Sequence, residues 1–300
     1  DKAMASPGTV APKRSRIVAM ALILGLLAGS GFALVRSYMS RGVRSTEEIE
    51  ALDLSVYGTI PKTNAASAPD KRGSHLEVLA AKHPTDLAVE SLRSLRTSLH
   101  FGMLDAKNKL CTITSSRPGE GKSFISVNLA TVLAKGGQKT CLIDADMRRG
   151  YLHRYFGLRR KEAGLSTYLA GDVSIEEIIH HDEATGLSFI ATGDYPPNPA
   201  ELLMHERFRE LCDYLNKEFD IAVFDTPPVL AVTDPIIIGK ATGMTMLVAR
   251  AEVVMADQIR AALKKFDANG FRPTGVIFNG DDPKTKGYTN YQYHYEYKSR

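Results

Sequence analysis

The chain of 300 residues has few cysteines, a small net charge and none of the motifs of several common enzyme classes. Its cysteines, Cys111, Cys141 and Cys212, lie far apart in apolar segments, with no CxxC pair and no histidine at a metal-ligand spacing. We therefore expect reduced core residues, and neither disulfides nor a zinc site. The absence of HRD and DFG sequences excludes a protein kinase of the eukaryotic type. A net charge of +4 is too small to indicate nucleic-acid binding, and we expect none.

One long apolar run stands near the start of the chain. Residues 17–35, IVAMALILGLLAGSGFALV, carry no charge over nineteen positions, which is enough for one helical membrane crossing. Basic residues stand at positions 13, 14 and 16 before it and at 36, 41 and 44 after it, so the charges do not set its orientation. Because the chain begins at Asp1, we expect a piece of a longer protein, with residues 1–16 as the juxtamembrane segment before a transmembrane helix at 17–35.

Residues 36–83 predict a linker. STEEIEALD indicates a short helix capped by Ser45 or Thr46, and TNAASAPDKRGS is small, polar and interrupted by proline and glycine. From residue 84 the pattern becomes periodic, with leucines at positions 92, 95 and 99 on one stripe of a helix. Glu90, Arg93 and Arg96 recur every three residues and share a second face. That face is either an ordinary solvated surface or a contact surface.

Apolar strands then alternate with helices. Strands are predicted at 109–115, 139–144, 187–192, 220–225, 244–249 and 274–278, and helices at 122–135, 164–170, 174–181, 199–217, 234–242 and 256–269. This alternation predicts an α/β fold with a doubly wound, mostly parallel sheet covered on both faces. We assign residues 84–280 to this domain and 281–300 to a C-terminal tail.

The first predicted strand runs into SSRPGEGKSF, which fits a P-loop. Amides of such a loop point at a phosphate, and the following helix N-terminus adds its dipole. We expect Lys122 to contact the β and γ phosphates and Ser123 to ligate Mg²⁺. Ser116 replaces the first glycine of the usual GxxxxGK[ST] pattern, but the strand–loop–helix context supports the assignment. The expected nucleotide-binding residues of the loop are Ser116, Pro118, Gly119, Glu120, Gly121, Lys122, Ser123 and Phe124.

Acidic residues end two other predicted strands. Asp144 ends the strand CLID and Asp146 comes two residues later, while Asp225 ends IAVFD, a Walker B pattern. Buried carboxylates there would be costly without a cation or donors. A capping role explains each acid alone, but hardly three acids beside a P-loop at the strand ends where such sheets bind ligands.

The tail is rich in tyrosine. Five of the twelve tyrosines, at positions 288, 291, 293, 295 and 297, lie in GYTNYQYHYEYKSR. Four of them alternate with other residues, which is the period of an edge strand with an aromatic face. The other interpretation is that the phenols are substrates, fed forward by the tether GDDPKTKGY.

Taken together, these motifs resemble the bacterial tyrosine kinases (BY-kinases) that are fused to a polysaccharide co-polymerase, the Wzc type of capsule and exopolysaccharide proteins. The resemblance rests on the membrane helix, on Glu90, Arg93 and Arg96, and on SSRPGEGKS, LIDADMR, FDTPP, PPNPAELLMHERF and the tyrosine tail. It implies an ATP- and Mg²⁺-dependent autokinase with its kinase domain in the cytoplasm and its helix in the bacterial inner membrane. It further implies a homo-oligomeric ring, a cognate tyrosine phosphatase and a polysaccharide polymerase or export machinery as partners.

The resemblance also implies roles for individual residues. Lys122, Asp144, Asp146 and Asp225 would be catalytic, with Ser123, Asp146 and Asp225 holding Mg²⁺. Asp144 would accept the tyrosine proton, although which of the two close acids is base and which is ligand stays open. Asn279 would hydrogen-bond the adenine, unless its pairing with Gly280 marks a turn. Glu90, Arg93 and Arg96 would form the oligomer interface, and Tyr288, Tyr291, Tyr293, Tyr295 and Tyr297 would be the phosphosites.

Two other functions stay open. Arg117 lies where partition and septum-placement ATPases carry a lysine that reaches across a dimer, so a dimerising ATPase switch is the alternative. A structural chain-length regulator, whose nucleotide tunes only assembly, is a third.

The basic stretch from residue 148 to residue 161 also has more than one interpretation. It is either a solvated rim or a site for membrane lipid or a phosphorylated segment. Its members are Arg148, Arg149, Arg154, Arg159, Arg160 and Lys161. Tyr151, inside this stretch, is either a regulatory phosphosite or a partly buried packing residue.

Overall fold

A computed structural model describes residues 14–39, 42–63, 65 and 76–282. The chain divides into two compact units, residues 1–41 and residues 42–300, which we describe separately. In the first unit, α1 (Arg14–Met39) extends beyond the predicted run of 17–35. Its window Ser15–Phe32 has a mean hydropathy of 1.7 and no buried residue. Among the described residues it is the one helix that is long and apolar enough to cross a membrane.

The second unit is built on one eight-stranded sheet. The strands are β1 (Val56–Pro61), β2 (Leu110–Ser115), β3 (Thr140–Asp144), β4 (Ile179–Asp182), β5 (Leu187–Ile190), β6 (Ile221–Asp225), β7 (Met244–Arg250) and β8 (Gly275–Asp281). Their order is β1-β8-β7-β2-β6-β3-β5-β4. Every neighbouring pair is parallel except β4 and β5. The predicted doubly wound, mostly parallel sheet is therefore confirmed.

Helices cover both faces of the sheet. They are α2 (Thr46–Glu50), α3 (Leu79–Lys82), α4 (Leu87–Gly102), α5 (Lys122–Lys135), α6 (Leu165–Ala170), α7 (Ile175–Ile178), α8 (Pro199–Met204), α9 (Glu206–Glu218), α10 (Asp234–Ala241) and α11 (Ala256–Asp267). The leucine stripe of α4 and nearly all of α5 are buried in one core cluster. Helices α6, α8 and α9 bury their apolar faces in a second cluster on the other side. The central strands are buried along their full length because both faces are covered.

The predicted linker at 36–83 is wrong in part. It contains α2, α3 and β1, and β1 pairs in parallel with β8 at one edge of the sheet. Val43, Ile49 and Leu54 of this segment are buried in a third core cluster. Ser45 does occupy the N-cap position of α2, but its side chain makes no capping hydrogen bond. The sheet thus begins well before residue 84.

Three helix predictions also need correction. The helix predicted at 174–181 ends at Ile178, and the next four residues form β4, an antiparallel edge strand. The helix predicted at 199–217 is two helices, because His205 has an extended backbone that ends α8 and begins α9. The helix expected from residue 84 begins at Leu87, where the Asp86 carboxylate accepts the amide of Ala88. The three cysteines are free and buried, as predicted.

Candidate active site

The phosphate loop joins the end of β2 to the start of α5. Gly119 and Gly121 have φ angles of +88° and +93°, a region that glycine enters without steric cost. Ser116 is not among the described residues with positive φ, so its position needs no glycine. The loop keeps its shape although the first motif glycine is missing.

The loop turns its amides and its carbonyls in different directions. The amides from Gly119 to Ser123 donate to no protein group among the described residues, so they are free to bind phosphate. The carbonyls of Gly119 and Glu120 instead accept side-chain donors from Arg250 and Asn279. Gly121 is the N-cap of α5, whose N-terminus adds a positive dipole end. This arrangement is that of a phosphate-binding nest.

Glu120 is a charged residue buried inside the loop. One of its carboxylate oxygens accepts the amide of Arg117 at 2.8 Å, while the other has no partner in the described part of the chain. Burial raises the pKa of Glu120 to about 7. Arg117 is exposed, and its positive charge acts to lower the pKa of Glu120 against the larger effect of burial. Phe124, the last residue of the predicted set, is half-buried and packs against the core cluster that contains α5.

Three acids meet beside this loop, since the strands that carry them are neighbours. Asp144 of β3 pairs in register with Asp225 of β6, and β6 adjoins β2. The Lys122 ammonium lies 3.5 Å from an Asp146 oxygen and 3.8 Å from an Asp225 oxygen. Burial acts to lower the pKa of Lys122, but these carboxylates outweigh it and the net shift is upward. The structure thus brings the four predicted catalytic side chains together.

Asp144 and Asp146, which the sequence could not tell apart, have different surroundings. Asp144 is fully buried, and one of its oxygens accepts the amide of Leu152 at 2.9 Å. Its other oxygen has no hydrogen-bond partner among the described residues. Burial, followed by the charge of Asp225, raises the pKa of Asp144 to about 7. Asp146 instead accepts the amides of Arg148 and Arg149 from its own turn.

The donor set fits a magnesium ion. Asp146, Asp225 and the Ser123 hydroxyl supply oxygen atoms, the ligands that Mg²⁺ takes from proteins alongside water and nucleotide phosphates. Burial raises the pKa of Asp225, while Lys122 and hydrogen bonds from Ser123 and Ser126 oppose the shift. No group of three or more acidic, histidine or cysteine side chains forms a ready-made metal cage in the part of the chain described. These residues therefore suit an ion that arrives with a nucleotide.

Tyr151 reaches into the same cluster. The residue is 37% exposed, yet its hydroxyl lies close enough to Ser123, Lys122 and Asp225 to interact with them electrostatically. Burial is the main reason that the pKa of Tyr151 is raised. A phenol therefore occupies part of the space next to the expected metal ligand, and whether it is a phosphosite stays a prediction.

The basic stretch 148–161 is only in part a free rim. Arg148 makes a bidentate ion pair with the fully buried Asp234, at 2.9 and 3.1 Å. Arg160 lies over the ring of Tyr195, 4.8 Å from its centroid. Arg148 is thus committed to fixing the turn that carries Asp146, and it is not available to a lipid or phosphate without breaking that pair.

Two side chains at the ends of neighbouring strands contact the phosphate loop. The sequence identified Asn279 of β8 but missed Arg250 of β7. Asn279 lies inside a strand, so the interpretation of Asn279 and Gly280 as a turn is wrong. Its amide donates to the Glu120 carbonyl at 2.9 Å, and adenine contact stays a prediction. Arg250, paired in register with Asn279, donates to the Gly119 carbonyl at 3.0 Å. No motif includes Arg250; its position at the end of a buried strand was the one available signal.

The predicted interface residues lie on α4. Glu90 and Arg93 form an ion pair with each other, and both are accessible. Arg96 instead packs toward the end of α5, where a Cβ at Gly136 would collide with its guanidinium. Arg96 also lines a cavity of about 330 Å³. Whether this face contacts another subunit stays a prediction, and the five tail tyrosines lie outside the described residues.

Comparison with known proteins gives a consistent result. A family model described as an AAA domain matches residues 108–264. The tyrosine-protein kinase wzc of Salmonella typhimurium is 40% identical over 308 residues, which cover all of this chain and 43% of that protein. The tyrosine-protein kinase ptk of Acinetobacter johnsonii is 41% identical over 283 residues, 93% of this chain and 38% of that protein. The chain thus spans about two fifths of the length of these curated relatives.

A solved structure matches over its whole length. The kinase domain of the Escherichia coli tyrosine kinase ETK is 39% identical, with a TM-score of 0.76. The match covers 84% of this chain and 100% of that domain. The similarity therefore extends over most of this chain and over the whole of that kinase domain.

Proposed function

The chain belongs to the bacterial tyrosine kinase family, and from this premise we propose that it transfers the γ-phosphoryl group of ATP to tyrosines of its own C-terminal tail. The observation that carries the proposal is the position of Asp144. It is a buried carboxylate with one unpartnered oxygen and a pKa of about 7, next to a phosphate loop. An acid tuned toward neutrality suits the removal of a proton from a tyrosine hydroxyl.

The other residues would position the reacting groups and neutralise the negative charge of the phosphates, which is most of what phosphoryl transfer requires. The amides from Gly119 to Ser123 would hold the β and γ phosphates, and Lys122 would leave its carboxylate partners to reach the same oxygens. Asp146, Asp225 and Ser123 would hold Mg²⁺, which supplies further neutralisation when it is bound. Asp144 would accept the phenolic proton as the tyrosine oxygen forms its bond to phosphorus and the ADP oxygen leaves.

The substrate tyrosines are proposed to come from a neighbouring copy. Residues 284–300 carry a formal charge of +3, from four basic residues and one acid, which suits a site lined by three carboxylates. Within an oligomer, a tail that enters the next subunit's site would bring several tyrosines of one segment within reach of that site. The accessible pair of Glu90 and Arg93 is the proposed contact between subunits.

The role of the whole protein is also a proposal. We infer an inner-membrane protein whose helix α1 crosses the bilayer and whose kinase domain is cytoplasmic, where ATP is found. The resemblance of its motifs to Wzc-type co-polymerases points to capsule or exopolysaccharide polymerisation and export as the process it regulates, with a tyrosine phosphatase that resets the tail.

Labelled ATP separates this function from the two others. After incubation of the full chain with Mg²⁺ and ATP labelled at the γ-phosphate, we expect label on tyrosine in the tail. A dimerising ATPase switch would release the label as free phosphate, and a structural regulator would do neither. Lys122→Met should abolish transfer, and Lys139→Met, which changes an exposed lysine outside the site, should not.

Transfer between copies has its own test. A chain that lacks residues 283–300 but keeps its site is mixed with full-length Lys122→Met. We expect label to appear on the tail of the Lys122→Met protein. Absence of label there, with an active truncated partner, would refute transfer between subunits and leave the kinase itself intact.

A further inference from the structure

The orientation of the phosphate-loop amides depends on two side chains at the ends of neighbouring strands. Arg250 ends β7 and donates to the Gly119 carbonyl, while Asn279 in β8 donates to the Glu120 carbonyl. In a trans peptide the C=O and the N–H of one unit point in opposite directions. A donor that holds the Gly119 carbonyl therefore aims the Glu120 amide toward the opposite side, and Asn279 does the same for the Gly121 amide.

This control matters most at Gly119. Its φ of +88° is open to glycine, and a Cβ built there would meet no atom within 4 Å. Arg117, Pro118 and Gly119 form the exposed apex of the loop. Glycine has the widest conformational freedom of any residue, so little else prevents this peptide from rotating. The hydrogen bond from Arg250 is the contact described between the apex and β7.

The backbone of Arg250 is itself well fixed. It pairs in register with Asn279, and the next amide, that of Ala251, donates to the Asn279 carbonyl at 2.9 Å. The Arg250 carbonyl accepts the amides of Val253 and Val254, which closes the turn after the strand. The Arg250 guanidinium thus extends from a well-fixed backbone to the Gly119–Glu120 peptide, which glycine leaves free to rotate.

From this geometry we infer that Arg250 is a positioning residue for phosphate binding, which acts through the Gly119–Glu120 peptide. The inference rests on the proposed nucleotide binding and adds a residue that no motif contains. Loss of the guanidinium should weaken the binding of any polyphosphate, with or without a base. A residue that contacted adenine or ribose would instead affect only nucleotides.

The test compares Arg250→Met with Arg250→Lys in the full-length chain. Arg250→Met keeps an unbranched stem and loses the guanidinium donors, whereas Arg250→Lys keeps a cationic donor. We expect Arg250→Met to raise the Kd of Mg-ADP and the inhibition constant of inorganic tripolyphosphate by the same factor, about tenfold, as for the loss of one charge-assisted hydrogen bond. The KM for ATP should rise likewise while kcat changes by less than about threefold, since the amide serves ground and transition states alike.

The controls decide between positioning and general damage. Arg260→Met changes an exposed arginine of α11 that pairs with Asp257, and it should leave every constant unchanged. The Kd and the inhibition constant of Arg250→Lys should lie between those of Arg250→Met and the wild type. If Arg250→Met does not fold, Arg250→Lys is used in its place.

Three results would overturn the inference. They are wild-type affinities in Arg250→Met, a loss for ADP without a loss for tripolyphosphate, and an equal loss in Arg260→Met. If the wild type itself does not bind Mg-ADP, the proposed function fails instead.

Discussion

Replacing Asp144 by asparagine should make the protein more stable at high pH while it destroys activity. The carboxyl group is fully buried, and its pKa is raised from 3.8 to about 7. Asparagine has nearly the same shape, can still accept the Leu152 amide, and carries no charge to be buried. The variant therefore removes the cost of ionising a buried acid and little else.

The magnitude follows from the shift. The folded protein holds the Asp144 proton more tightly than the unfolded chain does, so wild-type stability falls as pH rises from about 4 to about 7. Between pH 5 and pH 8 the folded group ionises, and the two units from pH 5 to its pKa cost about 3 kcal/mol at 1.36 kcal/mol per unit. The variant escapes this loss. At about 2–4 °C per kcal/mol, its lead in Tm should grow by about 5–10 °C over that range.

The assay is thermal unfolding in EDTA at pH 5, 6, 7 and 8, because a bound cation would compensate the carboxylates. Asp172→Asn, at an exposed loop residue, is the matched control, and its Tm relative to the wild type should not rise with pH. Addition of Mg²⁺ should narrow the gap between Asp144→Asn and the wild type. A Tm difference between Asp144→Asn and the wild type that stays constant from pH 5 to pH 8 would refute the account of Asp144. In a separate assay with Mg-ATP, the rate of tyrosine transfer by Asp144→Asn should be at least about 100-fold lower than that of the wild type, as for the loss of a general base.

Three further outcomes can be measured. A phosphate on Tyr151 would stand close to the carboxylates of Asp144 and Asp225 and be repelled by them, so it should slow tail phosphorylation; peptide mapping that finds only tail phosphates would exclude Tyr151 as a phosphosite. Arg93→Ala, which breaks the exposed pair with Glu90, should reduce oligomers and tail phosphorylation but not nucleotide binding; an unchanged oligomer distribution by mass photometry would count against the proposed interface. Four or five phosphates should change the tail from +3 to roughly −3 to −7 and loosen the assembly; equal distributions for phosphorylated and dephosphorylated protein would exclude that effect.

The sequence predicted the centre of the sheet well, because its central strands are mostly apolar, and β3 and β6 each end in an aspartate. Strands β2, β3 and β6 and helix α5 are confirmed within one residue. With parallel strands side by side, their carboxyl ends had to meet, which placed Asp144 and Asp225 beside the phosphate loop.

The edges of the sheet were harder to predict. Strand β1 contains Gly58 and Pro61, residues that edge strands tolerate and that central strands avoid. Strand β4 is the short polar sequence IHHD, which has no apolar alternation. The break at His205 depends on a side chain that caps the following helix, with its ring nitrogen 3.4 Å from the Arg207 amide. Such local contacts leave no periodic pattern.

Within the site, residue types predicted which side chains meet but not how each one is engaged. The distinction between Asp144 and Asp146 comes from which backbone amides reach them. The link from Arg250 to the loop is directed at a main-chain carbonyl, so no pairing of residue types could reveal it. Arg96, assigned to an outward face by its spacing, turns toward Gly136 instead.

Mass spectrometry of the tail after incubation with Mg-ATP tests the central claim most directly. Cleavage after Lys286 and Lys298 gives one peptide, residues 287–298, that contains all five tail tyrosines. For the wild type we predict phosphate on these tyrosines, and for Lys122→Met incubated alone we predict none. Consumption of ATP with an unmodified peptide 287–298 would contradict the account and make the protein an ATPase without this substrate.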